Sequence, residues 1–201
     1  MGDNWTKIKP YVNEHYEFLE IASDFGNPLE VVREAISNSF DAKATYIKIS
    51  FSVMNIDGYY KLVIELQDNG VGMSHEILEK NFWALGNSAS KNDSSKIGEK
   101  GHGTKIYLRS DTVYVITHHE SGSYESICNR PFNDLNAGKL HTPRIKPCNP
   151  ASKTGTYIRL EGYNNNERSM YLQNIVKDYI YWFTKLGSFE TEIDGNDPFA
   201  G

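Results

Sequence analysis

The sequence predicts an α+β domain, because two kinds of hydrophobic periodicity alternate along the chain. Residues 47–53 and 61–67 place apolar side chains at every second position, which is the period of a half-buried strand. Asp57-Gly58 lies between these runs and favours a tight turn, so they are expected to pair as a hairpin. Apolar residues at helical spacing mark the expected helices, at residues 10–22, 27–42, 74–83 and 170–186.

The second half of the chain has weaker strand signals. Runs of β-branched or alternating apolar residues predict strands at residues 112–117, 124–128 and 155–163. A short helix is expected at residues 104–109, directly after a glycine-rich stretch at 85–103 that is expected to be a mobile loop. Residues 130–153 contain four prolines and show little periodicity, so they are expected to form an irregular surface connection.

Composition places the chain among soluble globular proteins. Its 201 residues suffice for one domain, or for one domain and the start of another, with 39% hydrophobic and 23% charged residues. No apolar run reaches the roughly 20 residues that span a bilayer, and residues 1–7 do not resemble a signal peptide, so no membrane partner and a cytoplasmic location are expected. Cys128 and Cys148 lack a metal-binding pattern and are expected to be free thiols.

The formal net charge of −5 argues against a surface on this chain that binds duplex nucleic acid by itself. Nucleic acid stays possible through the parent protein, since a bound magnesium ion, a partner domain or a dimer groove could supply positive charge.

The stretch from Asn27 to Ala42 carries polar groups that an ordinary surface helix does not need. Asn27 can cap the helix, Pro28 suits its first turn, and Glu30 can complete a capping box. One face is apolar and consists of Leu29, Val32, Ile36 and Phe40. The opposite face gathers Glu34, Asn38 and Asp41. By itself this pattern is also that of a core-facing helix with a solvated back.

A second motif, Asp68-Asn-Gly-Val-Gly-Met73, follows an expected strand. Gly70 and Gly72 allow close backbone approach by a ligand, and a buried Asp68 carboxylate could accept a hydrogen bond from an exocyclic amine. A plain turn would have the same composition.

A third motif, Lys96 to Lys105, combines glycines and lysines just before an expected helix. Backbone amides at such a junction form an anion site. The order Thr104-Lys105 excludes a Walker loop, and a flexible hinge is the alternative. The fourth motif, Thr154-Gly-Thr156, is by itself only a turn before a strand.

Together and in this order, the four motifs resemble those of the GHKL ATPase superfamily, with most similarity to the MORC, MutL and ninety-kilodalton heat-shock chaperone groups. The resemblance implies the Bergerat ATP-binding fold, a two-layer α/β sandwich with helices on one face of a mixed, mostly antiparallel sheet. It implies an ATPase domain over residues 1–165. Residues 166–201 would form a C-terminal helix that packs on this domain or begins a following one.

The resemblance also assigns residues. Glu34 would be the general base and Asn38 the magnesium ligand, with ATP and Mg as the bound groups. Asp68 would read the adenine amino group with help from Thr156. The adenine pocket would also include Asp41, Gly70, Gly72 and Met73. The residues expected around the phosphates are Lys91, Gly98, Lys100, Gly101, His102, Gly103, Thr104 and Lys105, and the resemblance does not select which lysine contacts them.

The implied function is Mg-dependent hydrolysis of ATP to ADP and phosphate, slow in an isolated domain, which closes a lid and joins two copies of a larger protein as a homodimer. Two alternatives stay open: a histidine protein kinase catalytic domain and a non-hydrolysing, nucleotide-dependent assembly module. His102 and Thr104-Lys105 depart from the usual lid chemistry.

Overall fold

The structure, a computed structural model, describes residues 6–85 and 103–188. Its sheet has six strands in the order β1-β2-β6-β3-β4-β5, and every neighbouring pair is antiparallel. The strands are β1 Ile47–Ile56, β2 Tyr59–Asp68, β3 Thr112–His119, β4 Gly122–Asn129, β5 Arg144–Pro147 and β6 Gly155–Glu161. Helices accompany this sheet, which confirms the expected α+β sandwich.

The helices lie before the first strand, between β2 and β3, between β4 and β5, and after the last strand. Those in α-helical geometry are α1 Glu14–Ser23, α2 Glu30–Asp41, α3 His75–Ile77, α4 Pro131–Asn136, α5 Tyr163–Asn166, α6 Gln173–Phe183 and α7 Lys185–Ser188. A π-helix at Leu78–Trp83 continues α3, and two 3₁₀ helices occupy Gly103–Arg109 and Ser169–Tyr171. None of the helices in the described part of the chain is long and apolar enough to cross a membrane.

The hairpin of β1 and β2 forms as the alternation predicts. Asp57 and Gly58 both have positive φ, 52° and 84°, so the turn has the left-handed backbone that lets two strands join through two residues. The register sets Ile47 opposite Asp68 and Ile49 opposite Leu66. This register carries the alternating apolar residues to one face of the sheet.

One hydrophobic core lies between that face and the helices. Its buried members include Leu62 and Ile64 of β2, Val113 and Val115 of β3, Leu160 of β6, and Val31, Val32 and Ile36 of α2. The opposite face of the sheet is polar: Arg159 forms ion pairs with Glu161 and Glu65. A sheet with one apolar and one polar face needs only one layer of helices, which accounts for the two-layer architecture.

The start of α2 differs from the prediction. The helix begins at Glu30, and Asn27 Oδ1 accepts a hydrogen bond from the Leu29 N–H at 2.9 Å. Glu30 forms no capping box; its carboxylate pairs with Arg33 at 2.7 Å. The cap is therefore a local Asx turn, because Asn27 lies one turn before the first helical residue.

Other boundaries also needed correction. The first helix begins at Glu14 instead of Pro10, and residues 6–13 are not helical. The expectation of an irregular connection at 130–153 was wrong, since α4 and β5 lie within it. Pro131 occupies the first turn of α4, where a missing N–H costs nothing, and Pro147 ends the edge strand β5.

The C-terminal helix buries less of its apolar surface than its pattern suggests. In α6, Val176 and Tyr179 are buried in the core, whereas Trp182 and Phe183 are exposed. The helix packs against α2 and so belongs to the same layer. A domain boundary at residue 165 stays a prediction.

Candidate functional site

Glu34 and Asn38 lie one helical turn apart on α2, as their spacing requires. Asn38 is exposed, and the Glu34 side chain keeps 18% of its surface accessible. Burial raises the pKa of Glu34, the neighbouring Arg33 lowers it, and the carboxylates of Glu30 and Asp41 raise it further; the net pKa is above the ordinary value. A carboxylate with a raised pKa is a better proton acceptor at neutral pH than an ordinary one.

Two groups contact the two oxygens of this carboxylate. Arg33 Nη2 lies 3.2 Å from Glu34 Oε1. On the other side, Gly103 is so close that a Cβ built on it would overlap Glu34 Oε2 and lie 2.9 Å from the carboxyl carbon. The structure thus brings together two residues from motifs 69 positions apart in the chain, namely Glu34 and Gly103.

Asp68 begins a row of polar side chains across three neighbouring strands. The register pairs Asp68 with Thr156 and Thr156 with Thr117, so all three side chains share the core face of the sheet. The Thr117 and Thr156 hydroxyl oxygens are 3.3 Å apart. Asp68 and Thr156 are therefore neighbours because β2 and β6 pair at this point.

The Asp68 carboxylate is held by backbone donors. The Gly70 N–H donates to Asp68 Oδ1 at 2.8 Å. Burial raises the pKa of Asp68, while backbone hydrogen bonds from Gly70 and Thr156 act in the opposite direction, and the net pKa is above the ordinary value. Asp68 is thus a fixed, half-buried acceptor at the end of β2.

The glycines after Asp68 allow the loop to meet its neighbours. A Cβ on Gly70 would lie 2.6 Å from the carbonyl oxygen of Ala42, at the end of α2. Gly72 has a φ of +71°, and a Cβ there would overlap the His118 carbonyl oxygen. The Val71 N–H also donates to the Ala42 oxygen at 2.9 Å. Both glycines therefore fix the loop between α2 and β3.

Met73 and Asp41 occupy different environments at this loop. Met73 is half-buried, and its N–H donates to Thr117 Oγ1 at 2.7 Å. Asp41 is exposed at the last turn of α2. The geometry is compatible with a pocket wall formed by Met73, whereas Asp41 makes no described contact that fixes it there.

Three residues near the site were not singled out by the sequence. Thr117 is fully buried, and Asn69 Oδ1 accepts hydrogen bonds from the Thr45 and Tyr46 N–H groups at 2.9 and 2.8 Å. The third, Tyr107, is buried beside α2. The sequence did contain a signal for Thr117. Val113 and Val115 alternate as core residues, and Thr117 is the polar residue at the next core-facing position. Asp68 ends the alternation of its own strand in the same way.

The side chains of Thr104 and Lys105 contact the π-helix Leu78–Trp83. Lys105 is fully buried, and its Nζ donates to the carbonyl oxygens of Asn81 and Phe82, both at 2.9 Å. Thr104 Oγ1 donates to Phe82 O at 3.1 Å. Both side chains thus satisfy the carbonyl end of the π-helix. A phosphate contact by either of them stays a prediction. Burial lowers the pKa of Lys105 to about 7.

The remaining lid residues of the prediction, Lys91, Gly98, Lys100, Gly101 and His102, lie outside the described residues. Within residues 6–85 and 103–188, no three His, Cys, Asp or Glu side chains gather as a metal-binding group. Magnesium bound to a nucleotide needs few protein ligands, since phosphates and water supply most of its oxygens. Asn38 is an exposed residue with an amide oxygen, which fits that chemistry.

Comparison with known families identifies the family of this chain. A model of histidine kinase-, DNA gyrase B- and HSP90-like ATPases matches residues 27–152, more than half of the chain. The matched range begins at Asn27 and contains Glu34, Asn38, Asp68 and Gly103. Thr156 lies beyond the end of the range, and its position next to Asp68 is given by strand pairing. No match was found among curated proteins. The chain belongs to the family of histidine kinase-, DNA gyrase B- and HSP90-like ATPases, which has the general activity of binding and hydrolysing ATP.

Proposed function

We propose that this domain hydrolyses ATP to ADP and phosphate in a Mg-dependent reaction, with Glu34 as the general base. The observation that carries the proposal is the position of the Glu34 carboxylate. It is partly buried, has a raised pKa, lies one turn from Asn38 and contacts Gly103 at the start of a helix. Phosphoryl transfer requires a base, a metal ligand and backbone amides in one place, and these residues supply that combination.

Glu34 accepts a proton from the water that attacks the terminal phosphate. Arg33 contacts only Oε1, at 3.2 Å, so Oε2 is the oxygen on the Gly103 side. Asn38 would hold magnesium through its amide oxygen. The metal, when bound, neutralises negative charge that develops on the phosphates.

Asp68 accepts a hydrogen bond from the amino group of adenine. Its carboxylate is held by the Gly70 N–H at 2.8 Å, which fixes the orientation of the acceptor. The neighbouring hydroxyls of Thr156 and Thr117 offer positions for a bridging water. This arrangement favours adenine over a purine that carries a carbonyl at the same position.

Lid closure and ATP-dependent dimerisation of a larger protein are part of the proposal, on the basis of the resemblance. The form Glu34-x-x-x-Asn38-x-x-Asp41-Ala42 and the segment Leu85–Lys91 support a relation to the chaperone, MORC and MutL groups. The presence of both Glu34 and Asn38 favours hydrolysis over a histidine kinase or a non-hydrolysing module. Sedimentation with a non-hydrolysable ATP analogue tests dimerisation, and an unchanged mass contradicts it.

The function is tested by replacing Glu34 with Gln. We expect E34Q to bind ATP with unchanged affinity and to lose at least about 100-fold in turnover, the usual contribution of a general base. The matched control is E30Q, one turn earlier on the same helix and paired with the same Arg33. Turnover that survives E34Q would exclude Glu34 as the base. Transfer of labelled phosphate to the protein instead of release would indicate a kinase.

A further inference from the structure

Lys105 is a fully buried lysine whose contacts have no part in the reaction as proposed above. It belongs to the 3₁₀ helix Gly103–Arg109, and none of its surface is exposed. Lysine is rarely found fully inside a protein, because its burial is costly unless its donors find acceptors. A side chain in this position therefore needs a reason beyond packing.

The Lys105 side chain has three hydrogen-bond acceptors, which is the number of donors on a protonated amine. Its Nζ donates to the carbonyl oxygens of Asn81 and Phe82, both at 2.9 Å, and to Thr104 Oγ1 at 3.0 Å. None of these three oxygens belongs to a carboxylate. The carbonyl end of a helix attracts a cation, because the helix dipole is negative there.

These hydrogen bonds join two helices that are distant in the chain. Asn81 and Phe82 lie in the last turn of the π-helix Leu78–Trp83, 24 and 23 positions before Lys105. Thr104 adds a parallel bond, since its Oγ1 donates to Phe82 O at 3.1 Å. The first turn of the 3₁₀ helix is therefore tied to the end of the π-helix at two successive residues.

Gly103 comes directly before these two tied residues and contacts the proposed base. A Cβ at Gly103 would overlap Glu34 Oε2 and lie 2.9 Å from the carboxyl carbon, so a small shift of the backbone at residue 103 changes the space that the carboxylate occupies. Lys105 does not itself pair with Glu34, because all three of its donors are used by other oxygens. Its influence on the base passes through the backbone of Gly103.

We propose that Lys105 is a positioning residue for hydrolysis: its Nζ ties the 3₁₀ helix to the π-helix and thereby holds Gly103 against the Glu34 carboxylate, in the orientation that receives a proton from the attacking water. A displacement of about 1 Å in such a site can cost on the order of 100-fold in rate. This inference rests on the proposed function, in which Glu34 is the base.

The test is K105M, which keeps a long unbranched side chain and removes its donors. We expect ATP turnover to fall by at least about 10-fold, with the dissociation constant of a non-hydrolysable ATP analogue unchanged within about 2-fold. Steady-state phosphate release and titration calorimetry measure the two quantities. A direct contact between Lys105 and a phosphate would weaken binding as well. Wild-type turnover in folded K105M overturns the inference, and so does a dissociation constant that rises by about 10-fold or more.

The matched control is S126A, which loosens the same π-helix at another point. Trp83 Nε1 donates to the Ser126 hydroxyl at 2.9 Å, and this buried bond holds the π-helix to β4. We expect S126A to lower the melting temperature and to leave turnover unchanged, because the bonds of Thr104 and Lys105 stay in place. An equal fall of turnover in S126A would show that any loosening of the π-helix has this effect, and it would overturn the inference.

The two proposals can fail separately. If E34Q keeps wild-type turnover, the proposed base is wrong and the positioning role fails with it. If E34Q loses turnover and K105M keeps it, only the positioning role fails.

Should K105M not fold, T104V takes its place, because it removes one acceptor of Lys105 and the parallel bond to Phe82. We expect turnover about 3-fold lower at unchanged ATP affinity. Wild-type turnover in T104V would then overturn the inference.

Discussion

Gly103 touches the carboxylate of Glu34 so closely that any side chain at position 103 would overlap Glu34 Oε2. The contact joins the middle of α2 to the first residue of the 3₁₀ helix that follows the glycine-rich motif. A change at either residue therefore alters the position of the other, and the proposed base is linked to the proposed phosphate loop.

The first prediction concerns Gly103→Ala. The atom that a new Cβ would meet is the far end of a flexible side chain, so the fold should adapt by turning the Glu34 carboxylate aside. We expect ATP hydrolysis to fall by at least about 10-fold, since a misplaced base loses most of its contribution, while the melting temperature changes little. Steady-state phosphate release measures the effect. G26A is the matched control, because a Cβ at Gly26 would meet nothing within 4 Å; equal turnover in G103A and wild type would contradict the prediction.

The second prediction concerns Asp68→Asn. The substitution keeps the shape but removes the charge that strengthens a hydrogen bond from adenine, so ATP should bind about 10- to 100-fold more weakly. Wild type should prefer ATP over ITP, whose base has a carbonyl in place of the amino group, and D68N should lose that preference. Titration calorimetry with both nucleotides measures it. A preference for ATP that persists in D68N would exclude Asp68 as the reader of the amino group.

A third prediction separates steric overlap from backbone strain. Gly72→Ala and Gly58→Ala both place a side chain at positive φ, +71° and +84°. Ala at Gly58 meets nothing within 4 Å, so G58A should cost about 1–2 kcal/mol of unfolding free energy. Ala at Gly72 also overlaps the His118 carbonyl oxygen, a backbone atom that cannot turn aside, and G72A should cost about 1–3 kcal/mol more. Denaturant titration measures the unfolding free energy of both variants. Equal losses would show that the loop at residues 68–73 can move away from β3 to make room for the new side chain.

The fourth prediction is a pH dependence of stability. Burial lowers the pKa of Lys105 from 10.5 to about 7, so above pH 7 the unfolded chain binds more protons at this residue than the folded one. Stability should therefore rise from about pH 7 to about pH 9, by at most about 1.4 kcal/mol per pH unit. Above pH 9.0 the Cys128 thiol opposes this rise. Burial raises its pKa from 9.0 to about 12, so the folded chain keeps a proton there that the unfolded chain loses.

Lys105→Met should remove this rise, and urea unfolding at several pH values measures it. Lys80→Met is the control, because Lys80 is exposed and its pKa is raised above 10.5 by pairing with Glu76. A slope that survives in K105M would assign the pH dependence to other groups.

Local patterns were sufficient for most of the fold. The alternation in residues 47–53 and 61–67, with Asp57-Gly58 between them, predicted a hairpin, and β1 and β2 do pair as one. The expected helix at residues 74–83 begins with a serine, a residue that favours the N-cap, and Ser74 Oγ accepts a hydrogen bond from the Ile77 N–H at 3.3 Å. The short edge strand β5 had no such pattern, because four residues that pair on one side only need little hydrophobic periodicity.

The motifs by themselves determined which residue types the site contains: a Glu and an Asn one turn apart, an Asp followed by glycines, and glycines before a helix. Those features are local, since spacing along a helix or at a strand end fixes them. Only the tertiary structure decided that Lys105 turns to the carbonyls of Asn81 and Phe82, that Thr117 joins Asp68 and Thr156, and that Gly103 meets Glu34. These relations depend on which strands pair and which helices pack, and that is set by burial of the whole core.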